Sequence, residues 1–139
     1  MLALAALACS VPFGPFAGGH LPGPVTAGPI QDWSFATMST LQLETRPDDP
    51  RSLNLHFVEE GPRLWTATIL GDASEWARDV LADGRVRVRV GDRIYERQAV
   101  RVSDAAEIQR VADLYREKYT VVFDVAARDT TLVFRLDPR

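Results

Sequence analysis

The chain has 139 residues, room for one compact domain and too few for two ordinary ones. Hydrophobic residues make up 46% and charged residues 25%, the balance of a globular rather than a disordered protein. Sixteen basic against nineteen acidic side chains leave a net charge of −3, which argues against a nucleic-acid partner. A single cysteine excludes an internal disulfide and any multi-cysteine zinc site. No apolar run approaches the ~20 residues a membrane-crossing helix needs.

Charge divides the chain. Residues 1–31 contain no Asp, Glu, Lys or Arg, and the first formal charge is Asp32. The same stretch holds five of the nine prolines and five of the nine glycines, so neither a long helix nor a central strand can form there. Within residues 1–9, Leu2 to Ala8 is a short apolar run that ends at Cys9-Ser10. A small residue before a lone cysteine, after an apolar stretch, resembles a bacterial lipoprotein signal. That resemblance implies an acyl chain on Cys9, contact with the membrane only through it, and a place in the cell envelope; without acylation the expectation is a cytoplasmic protein. The pattern departs from the family in lacking a basic segment ahead of the run and in having Ala6 where leucine is usual. Residues 10–31 read as a Pro/Gly-rich tether that reaches outward from a domain at 32–139. His20 lies in that stretch without a second ligand nearby, so no metal site is expected.

From Asp32 onward the periodicity changes. Leu41, Leu43 and Thr45 alternate with polar residues, as do Leu53, Leu55 and Phe57, and both stretches read as half-buried strands around the turn Arg46 to Arg51. A third strand follows Glu60-Gly61-Pro62, over Leu64 to Leu70. Asp72 and Glu75 have the spacing of a capping box for a short helix carrying Trp76, Ala77, Val80 and Leu81, with Gly84 as its stop. Arg85 to Val90 alternates arginine with valine, and Gly91-Asp92 makes a two-residue hairpin turn to a strand over Arg93 to Val102. Paired residues then sum to 183, which sets Arg87 opposite Glu96 and Val88 opposite Tyr95. Further along, Arg97 and Arg101 fall on the valine face, which requires either a bulge or a sheet covered on both sides. Asp104 caps a second helix with the stripe Ile108, Val111, Ala112, Tyr115 and Tyr119. Thr120 to Val125 and Thr130 to Leu136 read as the last strands. About seven short, mostly antiparallel strands with two short helices are most economically closed into a barrel.

The run from Trp76 to Tyr95, followed by Arg101 to Glu107, resembles the split β-barrel (FMN-binding-like) flavoproteins. It is most similar to the deazaflavin-dependent nitroreductase and quinone-reductase branch, related in fold to pyridoxamine phosphate oxidase. The resemblance implies a flavin or deazaflavin (FMN or its deazaflavin counterpart) in a groove against the barrel, a small-molecule redox substrate, and a homodimer paired across that groove. It places the cofactor phosphate near Gly71-Asp72-Ala73-Ser74, with Arg46, Arg51, Ser52 and Ser74 holding it. Thr66 and Thr68 would face the ring, and Trp76 would border it. Two acids in the Arg46–Arg51 turn, Asp72 and Glu75 at the helix start, Asp79 in place of asparagine and Gly84 in place of proline depart from the family pattern. They point to an altered cofactor site on a retained fold, with activity lost or changed.

No independent catalytic motif stands beside this. Arg85, Arg87 and Arg89 read as a solvated strand face rather than a phosphate track. Trp76 by itself reads as a core anchor, and His56 has no Ser-Asp or cysteine partner for a triad or a metal. Catalytic residues stay unassigned. Two expectations remain: a flavin- or deazaflavin-dependent oxidoreductase-like protein, and a non-catalytic, membrane-anchored barrel that binds a small ligand or a protein partner.

Overall fold

The computed structural model describes residues 10–119 and 129–139. Cys9 with its apolar run, and the expected strand Thr120–Val125, lie outside the described residues. Among the described residues there are six strands: β1 (Thr40–Thr45), β2 (Arg51–Glu60), β3 (Arg63–Thr68), β4 (Arg85–Val90), β5 (Arg93–Arg101) and β6 (Leu132–Pro138). They close into a barrel in the order β1-β2-β3-β6-β5-β4, with every neighbouring pair antiparallel. A single 3₁₀ turn (Gly71–Ala73) and helix α1 (Glu75–Ala82) join β3 to β4, and helix α2 (Ala105–Lys118) follows β5.

The period-two alternation sorts side chains between the inside and the outside of the barrel. Leu41 and Leu43, and Val86, Val88 and Val90, point inward and join one core with Phe57, Leu64, Tyr95 and Phe134. The β4–β5 register runs without a bulge from Val90↔Arg93 to Arg85↔Gln98, with Arg87↔Glu96 and Val88↔Tyr95 as the hairpin rule requires. Gly91 holds φ at +65° in the turn between them. Of the two explanations for the slipped pattern on β5, coverage of both faces is the one observed. Arg97 therefore points inward and is buried.

Each end of the barrel has its plug. At the end where Thr45 Oγ1 bonds Asp79 Oδ2 (3.2 Å), α1 packs Trp76, Ala77 and Val80 onto the core. At the other end Trp33 is fully buried, its backbone N–H donating to Gly61 O (2.9 Å) and its indole N–H to Pro62 O (3.1 Å). The helix starts differ from each other. Asp104 accepts from Glu107 N (2.9 Å) and caps α2 as expected. Asp72 does not cap α1: it lies in the 3₁₀ turn, and Ser74 takes the N-cap position without a side-chain bond. Gly84 ends α1 by close approach rather than by a left-handed backbone. A Cβ there would fall 2.7 Å from Ala99 O and against the Gln98 side chain. Gly84→Ala is therefore expected to cost about 1–3 kcal/mol as overpacking against β5, measured as a lower urea midpoint.

The outer face of the barrel has two covers. Helix α2 lays Val111, Ala112, Leu114 and Tyr115 over Val58, Trp65 and Val133, forming a second core. The stretch 10–31, expected to reach outward as a tether, instead straps the outer face of β2, β1, β4 and β5. Gly18 exchanges two backbone hydrogen bonds with Ser52 on β2 (2.8 and 2.9 Å), and Thr26 N donates to Ile94 O on β5. Between these points Leu21 is fully buried, its N–H on Glu44 Oε2 (2.6 Å) and its C=O accepting from Arg87 Nη1 (3.0 Å). The reason is polar satisfaction. Glu44 is buried and needs partners, and an uncharged extended strand supplies them at no desolvation cost of its own charge. Arg87 is accordingly not on a solvated face. It forms an ion pair with Glu44 on the neighbouring strand (3.0 Å), not with Glu96, while Arg89 bonds Gln42 (3.1 Å) and Pro22 O. His20, given no role by the sequence, places Nδ1 3.2 Å from Glu44 Oε1.

Candidate functional site

The barrel is open along one seam. Strands β2 and β3 pair only from Phe57↔Thr66 to Glu60↔Arg63; beyond that Arg51–His56 keeps β1 on one side and Ala67–Thr68 keeps β6 on the other. At the vertex, hydroxyls take the place of ladder bonds: Thr66 Oγ1 (2.9 Å) and Tyr115 Oη (3.1 Å) both donate to His56 O. Burial holds the Tyr115 phenol well above its usual range, so it acts as a neutral donor at any working pH.

The parting strands leave a cleft of about 450 Å³. Its walls are Leu55 and His56 on β2, Thr68, Ile69 and Leu70 at the end of β3, Trp76 on α1, and Tyr115 and Tyr119 from α2. The walls are mostly apolar, and Trp76 belongs at the same time to the barrel core, edge-on to Phe134 at 5.5 Å. Tyr119 is fixed by its hydroxyl, which accepts from Phe57 N (3.0 Å) and lies 2.8 Å from Ser39 O. The rings of His56 and Tyr119 meet edge to face at 5.0 Å. His56 Nδ1 lies 3.1 Å from Ser39 O, and a carbonyl can only accept, so Nδ1 carries the proton and Nε2 is left free of it in the neutral ring.

The expected site residues fall into separate groups. Thr68 and Trp76 line the cleft; Thr66 is fully buried at its vertex. Arg46, Arg51 and Ser74 gather where the β1–β2 turn meets the start of α1. Arg51 is bridged to Glu75 there (2.9 Å), and Arg46 reaches Asp49 (3.5 Å) and Asp79 (3.9 Å). Arg46 also sits at φ +57°, at the head of the turn closed by Asp49 N on Arg46 O (3.0 Å). Ser52 stands apart from both groups, fully buried beneath the strap with Oγ on Ser10 O (3.4 Å). Sequence reasoning missed His56, Tyr115 and Tyr119 as cleft residues. The spacing of the two tyrosines marks them as helix core, and nothing in the sequence marks where β2 and β3 part.

The family model for F420H(2)-dependent quinone reductase matches residues 35–134. This chain belongs to that family. Of the two rings expected, the family's cofactor is the deazaflavin F420. No curated protein sequence matches the chain. The F420-H2 dependent reductase FDR-A superposes with a TM-score of 0.59 at 21% identity, over 71% of this chain and 94% of that one. The conserved hypothetical protein Rv2991 from Mycobacterium tuberculosis gives 0.62 at 18% identity, over 84% and 86%. HutZ, a heme storage protein from Vibrio cholerae, gives 0.60 at 18%, over 73% and 82%. At these identities the neighbours show the split-barrel fold, and the spread of their names shows that the fold alone does not select a ligand.

The residues present suit one half of a deazaflavin better than the other. A flat tricycle matches an apolar cleft of this size walled by an indole and two phenols. The corner expected to take the phosphate carries two arginines, Arg46 and Arg51, each already held by a carboxylate.

Proposed function

We propose that this chain holds a deazaflavin ring in the cleft between β2 and β3 and serves reduction of a small apolar acceptor of the quinone class. The observation that carries the reading is the seam itself, which opens an apolar slot through the barrel wall down to Trp76. When bound, the reduced deazaflavin supplies a hydride. The chain's own part is to orient and to keep water out: Trp76 and the two tyrosines bound the ring, and Ile69 and the exposed Leu70 meet an apolar substrate at the mouth. His56, its Nδ1 turned to Ser39 O, offers Nε2 as the cleft-wall nitrogen for a hydrogen bond to the bound acceptor.

The grip on the cofactor's phosphate is weakened here, because Glu75 occupies Arg51. Freeing that arginine restores a charge-assisted contact. Titrating the full chain with F420 and with FMN, followed by tryptophan quenching, is expected to give saturable binding of F420 ahead of FMN. Glu75→Gln should tighten it about tenfold, the worth of roughly 1.4 kcal/mol. Trp76→Leu, which keeps the position apolar but removes the ring, should weaken it by about as much. Absence of F420 binding to both the natural chain and Glu75→Gln overturns the reading.

The occupied arginines favour a second reading, a barrel without catalysis that takes a small apolar ligand or a protein partner in the same slot. The same titration separates them. Attachment through Cys9 and pairing of two copies across the groove complete the proposal. Detergent partitioning that disappears in Cys9→Ser, and a sedimentation mass of two chains, are the results expected of them.

A further inference from the structure

A second pocket, sharing no residue with the cleft, lies at the Trp33 end of the barrel. Strand β6 pairs with β5 from Arg101↔Phe134 to Arg97↔Pro138, and among the described residues no strand pairs with residues 93–96 of β5 on that side. The strap comes in there instead, and residues 25–28, Tyr95, Glu96, Arg97, Pro138 and Arg139 enclose about 240 Å³. Arg97 is 3% exposed, yet its Nε has no hydrogen-bond partner, and it forms no ion pair among the described residues. The Tyr95 hydroxyl beside it is also buried and unpaired. The guanidinium lies over the rings of Trp33 (5.2 Å) and Tyr95 (5.6 Å), contacts that satisfy none of its N–H groups. A buried cation with no direct ion pair or hydrogen bond at its Nε is a costly arrangement that a mere packing role does not account for. Two acids are near but neither pairs with it: Glu96 borders the pocket with an exposed side chain, and Asp137, close enough to act on Arg97 through space, has both oxygens on Arg135 (2.7 and 3.2 Å).

We propose that this pocket is a binding site for a small oxyanion, a carboxylate or phosphate group whose two oxygens meet the Arg97 guanidinium edge and the Tyr95 hydroxyl. The site needs no deazaflavin and stands whether or not the cleft binds one. Oxyanions carried by metabolites or present as free inorganic ions share this chemistry, and inorganic phosphate and acetate serve as the two probes.

Thermal melting of the full chain in each salt, at ionic strength matched with sodium chloride, tests it. The expected result is a saturable rise in Tm of about 3 °C or more with one probe, reporting ligand linkage to the folded state. Arg97→Met should melt higher than the natural chain in chloride and show no saturable response, since it removes the unpaired charge together with the site. Tyr95→Phe, which leaves the ring packing intact, should raise the midpoint concentration about fivefold. A saturable response to phosphate alone identifies a phosphate site, and one to acetate a carboxylate site. An unsaturable response equal in the natural chain and Arg97→Met, or no response in the natural chain, overturns the proposal. If Arg97→Met does not fold, an unchanged midpoint in Tyr95→Phe does the same.

Discussion

Glu44→Ala is expected to destabilise the protein by about 3–5 kcal/mol, because it leaves a buried guanidinium unpaired and unclasps the strap in one step. The carboxylate holds three neighbours at once: Arg87 Nη1 at 3.0 Å, Leu21 N at 2.6 Å and His20 Nδ1 at 3.2 Å. Losing it strands Arg87, which is mostly buried, and removes the only anchor recorded for the Leu21 N–H. Glu44→Gln should cost less, since an amide oxygen still accepts from Leu21. A double replacement, Glu44→Leu with Arg87→Met, should recover much of the loss, because two apolar side chains of like volume leave no stranded charge. Urea unfolding checks this through a shifted midpoint at nearly constant slope. A loss below about 1 kcal/mol for Glu44→Ala would mean that the pair acts as an ordinary surface contact.

Trp33→Ala should cost a similar amount, about 3–5 kcal/mol, for a different reason. The indole fills the open end of the barrel, edge-on to Tyr95 at 5.1 Å and tilted on Phe35 at 5.7 Å. Its removal leaves a void that the surrounding strands, tied by ladder bonds, cannot close. Trp33→Phe keeps most of the apolar volume but abandons the bond to Pro62 O, so a loss of about 1–2 kcal/mol is expected. Equal effects of the two replacements would show that the hydrogen bond, not the filled volume, is what matters.

Much of the barrel was legible because period-two alternation survives in the sequence wherever one face meets the core. Arg85 to Val90 is the plainest case, and the Gly91-Asp92 turn set its register correctly. Arg97 was legible only as an anomaly: its position on the valine face was visible, but not its burial or its lack of a partner. The strap was misread because proline and glycine mark where helices and ladders cannot form, and carry no information on what an extended segment lies against. Asp72 was misread as a cap because the glycine before it opens a 3₁₀ turn and delays α1 to Glu75. The cleft was illegible for a deeper reason. It arises where two strands stop pairing, and residues such as Ala67 and Thr68 look the same with a neighbour as without one.

The strap also takes away slack. Its first described residue, Ser10, already lies against Ser52, and Gly14 O accepts from Asn54 on the rim of the cleft (3.1 Å). From Ser10 onward, then, the strap lies on the barrel and adds no free length between it and whatever precedes. Phe13 and Phe16, 81% and 69% exposed, flank the Gly14 carbonyl that holds Asn54. Fixing residue 10 to a surface would keep the rim of the slot within a few residues of that surface.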